Sequence, residues 1–319
     1  MGDLEVIAPR EVPLGGLRAM TVRRTLPRRG RSLIGAWCFA DHYGPDDVAR
    51  TGGMSVPPHP HTGLQTVSWL FSGEIEHRDS AGHHAFVRPG ELNLMTAGRG
   101  ISHSEVSTAA TATLHGVQLW VALPDAARST APGFEHHVPR PVAGPGWRAR
   151  VFAGSLLGAT SPATTFTPLL GAELDLAAGT RTTVPVEPGF EHGVLVDAGP
   201  VAVDGVPLPA GHLGYLPPGR AALHLAAPDG PGRVVLLGGA PFEEPLLMWW
   251  NFVGRTHEEV AGFRADWQQA LAAAAVAGPV PGGRFRLPDG DPLPPLPAPV
   301  LPTSRLRPRL PAVIPGRDR

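Results

Sequence analysis

Cysteine, lysine and long apolar runs are the features that this chain of 319 residues has least of. Its single cysteine, Cys38, excludes an intrachain disulfide and any metal centre built from several thiolates of one chain. All 27 basic residues are arginine, so a P-loop, which needs a lysine, is excluded too. No run of 18 apolar residues occurs, which predicts that no helix spans a membrane.

Charge and composition exclude further classes. The formal net charge is −1, which does not indicate a broad surface for nucleic acid. The first residues, MGDLEVIAPREV, lack the basic and apolar regions of a signal peptide, so we expect a cytoplasmic protein. The 40 glycines and 38 prolines, with arginine as the only strong base, are typical of a GC-rich bacterial source.

Short apolar segments separated by Gly, Pro, Asp and Asn predict an all-β fold. Each half of the chain has such segments on both sides of a turn, Pro89-Gly90 in the first half and Pro209-Ala210-Gly211 in the second. This weak internal similarity predicts two β-barrels in tandem. The segments are Thr66–Phe71, Ala85–Val87 and Val117–Leu123, then Ala172–Leu176, Gly193–Val196, Val201–Val203, Leu213–Leu216, Ala222–Leu225 and Val234–Leu237.

We therefore expect a metal-binding N-terminal domain over residues 1–135, a second barrel over 136–278 and a Pro-rich tail over 279–319. One helix closes the second domain. Thr256 and Glu259 form a capping box at its start, and Gly278-Pro279 is a strong stop.

Two pairs of metal-ligand residues stand out in the first domain. His59 and His61 are two residues apart, and so are His103 and Glu105. On a β-strand, residues at this spacing point to the same face, so each pair can direct both side chains into one cavity. Three imidazoles and one carboxylate leave open positions on an octahedral ion. Without a thiolate, the set favours Fe²⁺, with Mn²⁺, Co²⁺, Ni²⁺ and Zn²⁺ as alternatives.

The spacing around the first pair fits a cupin-type motif, which is a signature of small jelly-roll barrels. Gly53 is followed after five residues by His59-x-His61, then by Gln65 and by Gly73. Gln65 stands where such a motif carries a glutamate ligand, and Glu105 can supply the missing carboxylate. The second half has no His-x-His or His-x-Glu pair, so we expect its barrel to be degenerate and without a metal site.

Other polar residues of the first domain are expected around the ligands or facing a substrate rather than on the ion. These are Gln65, Arg99, His115 and His42. His77 and the pair His83-His84 flank an apparent hairpin turn and are expected at the rim or surface.

Several longer strings resemble the pirin family of the cupin superfamily. They are DHYGP from Asp41, HPH from His59, MTAGRGISHSE from Met95 and MWWNFVGRTHEE from Met248. The resemblance implies two tandem cupin barrels, with iron bound in the first by the four residues above. This sequence departs from the family pattern at Gln65, where family members commonly carry glutamate.

The same resemblance implies two functions, and both stay open at this point. Some pirins resemble quercetin 2,3-dioxygenases, which would make this chain an Fe²⁺-dependent enzyme acting on O₂ and a flavonol- or catechol-like molecule. Glu105 would then be the catalytic base. Others are iron-dependent co-regulators that bind a transcription factor or a metabolic enzyme. A roomy mouth beside the ion would favour catalysis; closure by side chains such as Met54 or Trp69 would favour regulation.

Overall fold

The computed structural model describes residues 4–14, 20–276 and 283–309. Apart from one short and one long helix, these residues form strands and loops. The helices are α1 Val48–Thr51 and α2 His257–Val276.

The strands follow one another closely along the chain. In chain order they are β1 Glu5–Ile7, β2 Arg10–Leu14, β3 Met20–Leu26, β4 Trp37–Asp47, β5 Ser55–His61, β6 Leu64–Ser72, β7 Ile75–Asp79, β8 His84–Val87, β9 Leu92–Thr96, β10 Ile101–Ser107, β11 Thr113–Ala122, β12 Gly133–His137, β13 Val142–Gly144, β14 Trp147–Ala153, β15 Ser155–Leu156, β16 Ala159–Thr160, β17 Leu169–Leu176, β18 Thr180–Pro185, β19 Glu191–Ala198, β20 Val201–Val203, β21 Val206–Leu208, β22 Leu213–Leu216, β23 Ala222–Ala227, β24 Gly232–Gly239, β25 Leu247–Trp249 and β26 Phe252–Gly254.

The two halves of the chain have the same architecture. The first pairs a seven-stranded sheet, in the order β12-β9-β6-β11-β4-β3-β2, with a four-stranded sheet, β5-β10-β7-β8. The second pairs a seven-stranded sheet, β1-β22-β19-β24-β17-β14-β13, with a four-stranded sheet, β18-β23-β20-β21. The predicted all-β class with two tandem barrels is confirmed, and each predicted strand overlaps an observed one.

The sheets do not divide the chain where the sequence suggested. The expected boundary at residue 135 would cut β12, which pairs with β9 of the first barrel, whereas β13 pairs with β14 of the second. The short strand β1 crosses over and pairs with β22 of the second barrel. We therefore propose a boundary within residues 138–141, with the N-terminal strand exchanged to the second barrel.

The two barrels pack through their seven-stranded sheets, and the largest apolar cluster lies between them. It contains Trp37 and Trp69 from the first barrel and Phe152 and Leu237 from the second. Burial of such large side chains dominates the association of two sheets.

The interiors of the two barrels differ. The second is filled with aliphatic side chains, such as Leu174, Val194 and Leu236. The first has a smaller apolar cluster that includes Met54 and Ile75, and the rest of its interior is polar. Only the first barrel therefore has an interior suited to metal ligands.

Helix α2 begins as the sequence predicts. The Thr256 hydroxyl accepts a hydrogen bond from the Glu259 amide at 3.1 Å, and the Glu259 carboxylate accepts one from the Arg255 amide at 2.7 Å. These bonds pair amide groups that the first turn of a helix otherwise leaves unsatisfied. The helix is described to Val276, and the predicted stop at Gly278-Pro279 lies outside the described residues.

Residues 283–309 pass over the body of the protein without forming a helix. Phe285 packs with Trp267 of α2 in a separate apolar cluster. The Leu296 carbonyl accepts a hydrogen bond from Trp267 Nε1 at 2.8 Å, and the Leu296 amide donates to the carbonyl of Pro58 in β5. These contacts join the tail to the strand that carries His59 and His61. Within the described residues, no helix is long and apolar enough to cross a membrane.

Close approach of the two barrels predicts a glycine requirement at residue 35. Gly35 has φ +51°, and a Cβ there would lie 2.6 Å from Gly239 Cα of the second barrel. We expect Gly35→Ala to lower the free energy of unfolding by about 1–3 kcal/mol more than Gly30→Ala. Gly30 is the matched control because it also has a positive φ, +88°, but no atom within 4 Å of the added Cβ. Urea unfolding of the two variants checks this, and equal losses would contradict it.

Candidate metal centre

The pairing of β5 with β10 brings the two predicted ligand pairs together. The strands are antiparallel, with His103 directly opposite His59. Strand alternation then directs His61 to the same side. The ligand atoms of these three histidines lie within 4.8 Å of one another, and their rings are 4.5–5.0 Å apart. Three imidazoles at this spacing can share one ion.

The prolines of β5 fit its position in the sheet. Pro57, Pro58 and Pro60 lie in this strand, and a proline has no amide hydrogen to donate to a neighbouring strand, which confines it to sheet edges. Strand β5 is at the edge of its four-stranded sheet and pairs only with β10 there. The edge position therefore allows a proline-rich strand to carry two ligands.

Glu105 belongs to a second group that overlaps the first. The register shifts between His103 and Glu105, so Glu105 lies opposite Val56 of β5 and, on its other side, opposite His77 of β7. The ligand atoms of His77, His103 and Glu105 lie within 4.8 Å of one another. The four predicted ligands are thus spread over two triads that share His103.

The expectation that His77 lies at the rim is wrong. Its side chain is buried, and its Nδ1 lies 3.4 Å from Nδ1 of His103. Alternation along β7 explains this, since Ile75, His77 and Asp79 all point inward. The alternation of Ile75, His77 and Asp79 with polar neighbours is visible in the sequence and could have predicted that His77 points inward. His83 and His84, by contrast, are exposed to solvent on one side, as expected.

Buried carboxylates hold the histidines from behind. Asp79 Oδ2 is 3.3 Å from His77 Nε2 and 3.0 Å from His83 Nδ1, so this carboxylate links an inner and an outer imidazole. The other buried carboxylate, that of Glu105, has a hydroxyl partner: Ser68 Oγ lies 2.9 Å from Glu105 Oε1. Burial raises the pKa of Glu105 above its ordinary value.

The backbone fixes the tautomers of the two β5 histidines. His59 Nδ1 donates to the Pro57 carbonyl at 2.9 Å, and His61 Nδ1 donates to the Asn251 carbonyl at 3.2 Å. Each ring therefore presents an unprotonated Nε2, which is the form that binds a metal. Nε2 of His103 is buried and has no hydrogen-bond partner among the described residues. An ion at this point would satisfy it.

Burial keeps these imidazoles neutral. It lowers the pKa of His59 to about 4, and it lowers the pKa of His61 and of His103 well below the ordinary value. Metal ligation requires neutral imidazole, so the protonation states fit a divalent cation.

Aromatic side chains pack against the histidine cluster. Trp120 meets the His61 ring edge-on at 5.1 Å and stacks on Phe39 at 4.0 Å. The guanidinium of Arg24 covers Phe39 at 4.2 Å and pairs with the buried Asp41. These contacts fix the position of the Trp120 ring against His61.

The side chain of Gln65 points away from the cluster, which corrects its expected place beside the ion. Its Nε2 donates to Thr96 Oγ1 at 2.9 Å and to the carbonyl of Thr164 at 3.0 Å. It shares a face of β6 with Trp69, which donates to Glu173 of the second barrel. Trp69 therefore faces the second barrel and does not close the metal site.

The remaining predicted residues lie elsewhere. Arg99 is exposed, in surface clefts formed with α2 and the tail, and its carbonyl accepts a hydrogen bond from Arg284 at 2.5 Å. His42 and His115 contact Asp197 of the second barrel, at the interface between the barrels. Arg99, His42 and His115 therefore lie away from the ligands beside which they were expected, as Gln65 does.

Comparisons with known proteins agree with this architecture. The family model described as Pirin matches residues 19–121, and the one described as Pirin C-terminal cupin domain matches residues 171–272. The chain belongs to the pirin family. A Pseudomonas aeruginosa relative, provisionally named a quercetin 2,3-dioxygenase, is 41% identical over 89% of this chain and 90% of its own length. Human pirin is 31% identical over 78% of this chain and 87% of its own.

Solved structures show the same two-barrel arrangement. A crystal structure of quercetin 2,3-dioxygenase from Acinetobacter baumannii has a TM-score of 0.87 and 38% identity, covering 96% of this chain and 97% of that one. A bacterial pirin from Escherichia coli, solved in complex with nickel(II), has a TM-score of 0.58 over 75% of this chain and all of its own. Its 18% identity supports the shared fold alone.

The lowered pKa of His59 predicts a loss of stability in acid. Between about pH 6.5 and about pH 4 the unfolded chain binds a proton that the folded chain does not, so stability falls as the pH falls through this window. For His59 alone the loss is about 3 kcal/mol. We expect urea unfolding of metal-free protein to show this fall. His59→Gln should reduce it, and the exposed control His83→Gln should leave it unchanged. A fall of the same size in His59→Gln would contradict the assignment.

Proposed function

We propose that this protein is an Fe²⁺-dependent dioxygenase that acts on a flavonol- or catechol-like small molecule. The observation that carries the proposal is a buried three-histidine cluster with a neighbouring carboxylate, in a chain 38% identical in sequence to a quercetin 2,3-dioxygenase of known structure. The proposed ligands are His59, His61, His103 and Glu105. Mn²⁺, Co²⁺, Ni²⁺ and Zn²⁺ suit the same ligand types and are the competing metals.

Bound Fe²⁺ supplies the one-electron chemistry that lets oxygen react with an organic substrate. The protein contributes position and proton transfer. Glu105, whose pKa is raised by burial, is suited to accept the proton of a substrate hydroxyl. Ser68 Oγ is within hydrogen-bonding distance of its Oε1. Trp120, which stacks on Phe39 and meets the His61 ring edge-on, holds that ligand in position.

The overlapping triads make the fourth ligand testable. We expect His59→Ala to weaken Fe²⁺ or Co²⁺ binding more than 100-fold and Glu105→Gln to weaken it about 10- to 100-fold. His77→Gln should weaken it less than about tenfold, because we assign His77 to positioning rather than ligation. Competition against a chromophoric chelator measures all three, with His83→Gln as the control. A larger effect of His77→Gln than of Glu105→Gln would assign the fourth position to His77.

The activity is tested by oxygen consumption. Metal-free protein is loaded with Fe²⁺ without oxygen, and quercetin and oxygen are then added. We expect uptake with the wild type and with His83→Ala, and loss of at least 90% of the rate with His59→Ala, which removes a ligand. Uptake by the wild type that does not exceed that of His59→Ala would count against catalysis on flavonols.

An iron-dependent regulatory protein is the second candidate, and burial of the cluster favours it. His61 and His103 are each 1% exposed, so little of the centre is open to a large substrate. In that case a partner protein would bind a surface whose shape or charge follows the state of the iron. The oxygen assay separates the two candidates, because a regulator of this kind consumes no oxygen with any member of a flavonoid panel.

A further inference from the structure

A second group of ligand-type side chains lies between the two barrels. His42 of β4 and His115 of β11 come from the first barrel, and Asp197 of β19 comes from the second. The side chains of His42 and Asp197 are 1% and 0% exposed, and that of His115 is 12% exposed. The three residues are widely separated in sequence and meet only because the barrels pack together.

The three candidate ligand atoms form a compact triangle. Asp197 Oδ1 is 2.7 Å from His42 Nε2 and 2.6 Å from His115 Nε2, and the two nitrogens are 3.3 Å apart. Neighbouring ligands of an octahedral ion with bonds of about 2.1 Å lie about 3 Å apart. The triangle therefore has nearly the size of one face of such an octahedron.

We propose that His42, His115 and Asp197 bind a divalent transition-metal ion that ties the two barrels together. Two imidazoles and one carboxylate on one face are a ligand set used for Fe²⁺, and imidazole also suits Zn²⁺, Co²⁺ and Ni²⁺. Its ligands come from both barrels, so a bound ion would hold the barrels together and its role is structural. It is distinct from the cluster inside the first barrel.

Neighbouring groups hold the ligands in place. Arg233 Nη1 lies 3.3 Å from Asp197 Oδ2, which leaves Oδ1 directed at the histidines. The His115 ring packs against Phe71 at 4.9 Å. Burial raises the pKa of Asp197, but in the metal-free protein hydrogen bonds from His115 and His42 lower it below its ordinary value, and a bound ion would replace these hydrogen bonds. Orientation by such outer contacts strengthens metal binding.

Two cations face the site and limit its affinity. Arg233 also pairs with Asp175 at 3.1 Å and with Glu173 at 3.8 Å, so these carboxylates offset its charge. Arg23 Nη2 lies 3.3 Å from both ring nitrogens of His42 and 2.5 Å from the Gly44 carbonyl. It must withdraw from Nε2 when an ion enters. We therefore expect weaker binding than in the first cluster, and tighter binding when the charge of Arg23 is removed.

The same three side chains could instead link the barrels by hydrogen bonds alone, without an ion. A count of bound metal distinguishes a metal site from such a hydrogen-bonded contact. Full-length protein, stripped of metal, is dialysed against Co²⁺, and the bound metal is counted. We expect about two ions per chain in the wild type and about one in Asp197→Asn. Asp204→Asn is the control, since it removes a carboxylate of the second barrel that pairs with Arg220 rather than with Arg233, and it should keep two.

One bound ion in both the wild type and Asp197→Asn would overturn the proposal, as would a second ion that survives this substitution. If Asp197→Asn does not fold, judged by circular dichroism, the more exposed His115→Gln is tested by the same criterion. Arg23→Gln gives an independent check. It should tighten the second Co²⁺ by about tenfold, because a like charge is removed. Unchanged or weaker binding of the second ion would also count against the site.

Discussion

The register of β5 against β10 is the constraint on which the candidate centre depends. It sets His103 opposite His59, and strand alternation adds His61 on the same side. A slip of one residue in either strand would turn its ligands to the opposite face. Contacts outside the sheet hold β5 at its middle and at its end, because Pro58 accepts a hydrogen bond from the tail and His61 contacts the loop before β26.

The two barrels show how one architecture can carry or lose a site. Both pair a seven-stranded with a four-stranded sheet. In the second, aliphatic side chains fill the interior, which stabilises the barrel through apolar burial. In the first, histidines and Glu105 take much of that space, and their burial is unfavourable until an ion or hydrogen bonds compensate it. An ion bound at this cluster would therefore also stabilise the first barrel.

Buried carboxylates of the second barrel connect it to the first. Glu173 accepts a hydrogen bond from Trp69 Nε1 at 2.7 Å, and Glu191 accepts one from the Gly35 amide at 2.7 Å. The third such carboxylate is Asp197, whose Oδ1 lies 2.7 Å from Nε2 of His42 in the first barrel. Each contact is directional and surrounded by apolar side chains, so together they fix how one sheet is oriented on the other. The apolar cluster supplies the attraction, and these polar contacts supply the specificity.

The sequence by itself determined the all-β class, the two barrels, nine of the strands and the inward direction of His59, His61, His103 and Glu105. These features follow from apolar segments, turn residues and the alternation of side chains, which are all local. Alternation along β7 already directs His77 inward, but only the tertiary structure decided that β7 pairs beside His103, that Gln65 leaves the centre, and that His42, His115 and Asp197 meet between the barrels. Such contacts depend on strand register and on how two sheets pack, and these are set by burial summed over residues far apart in the chain.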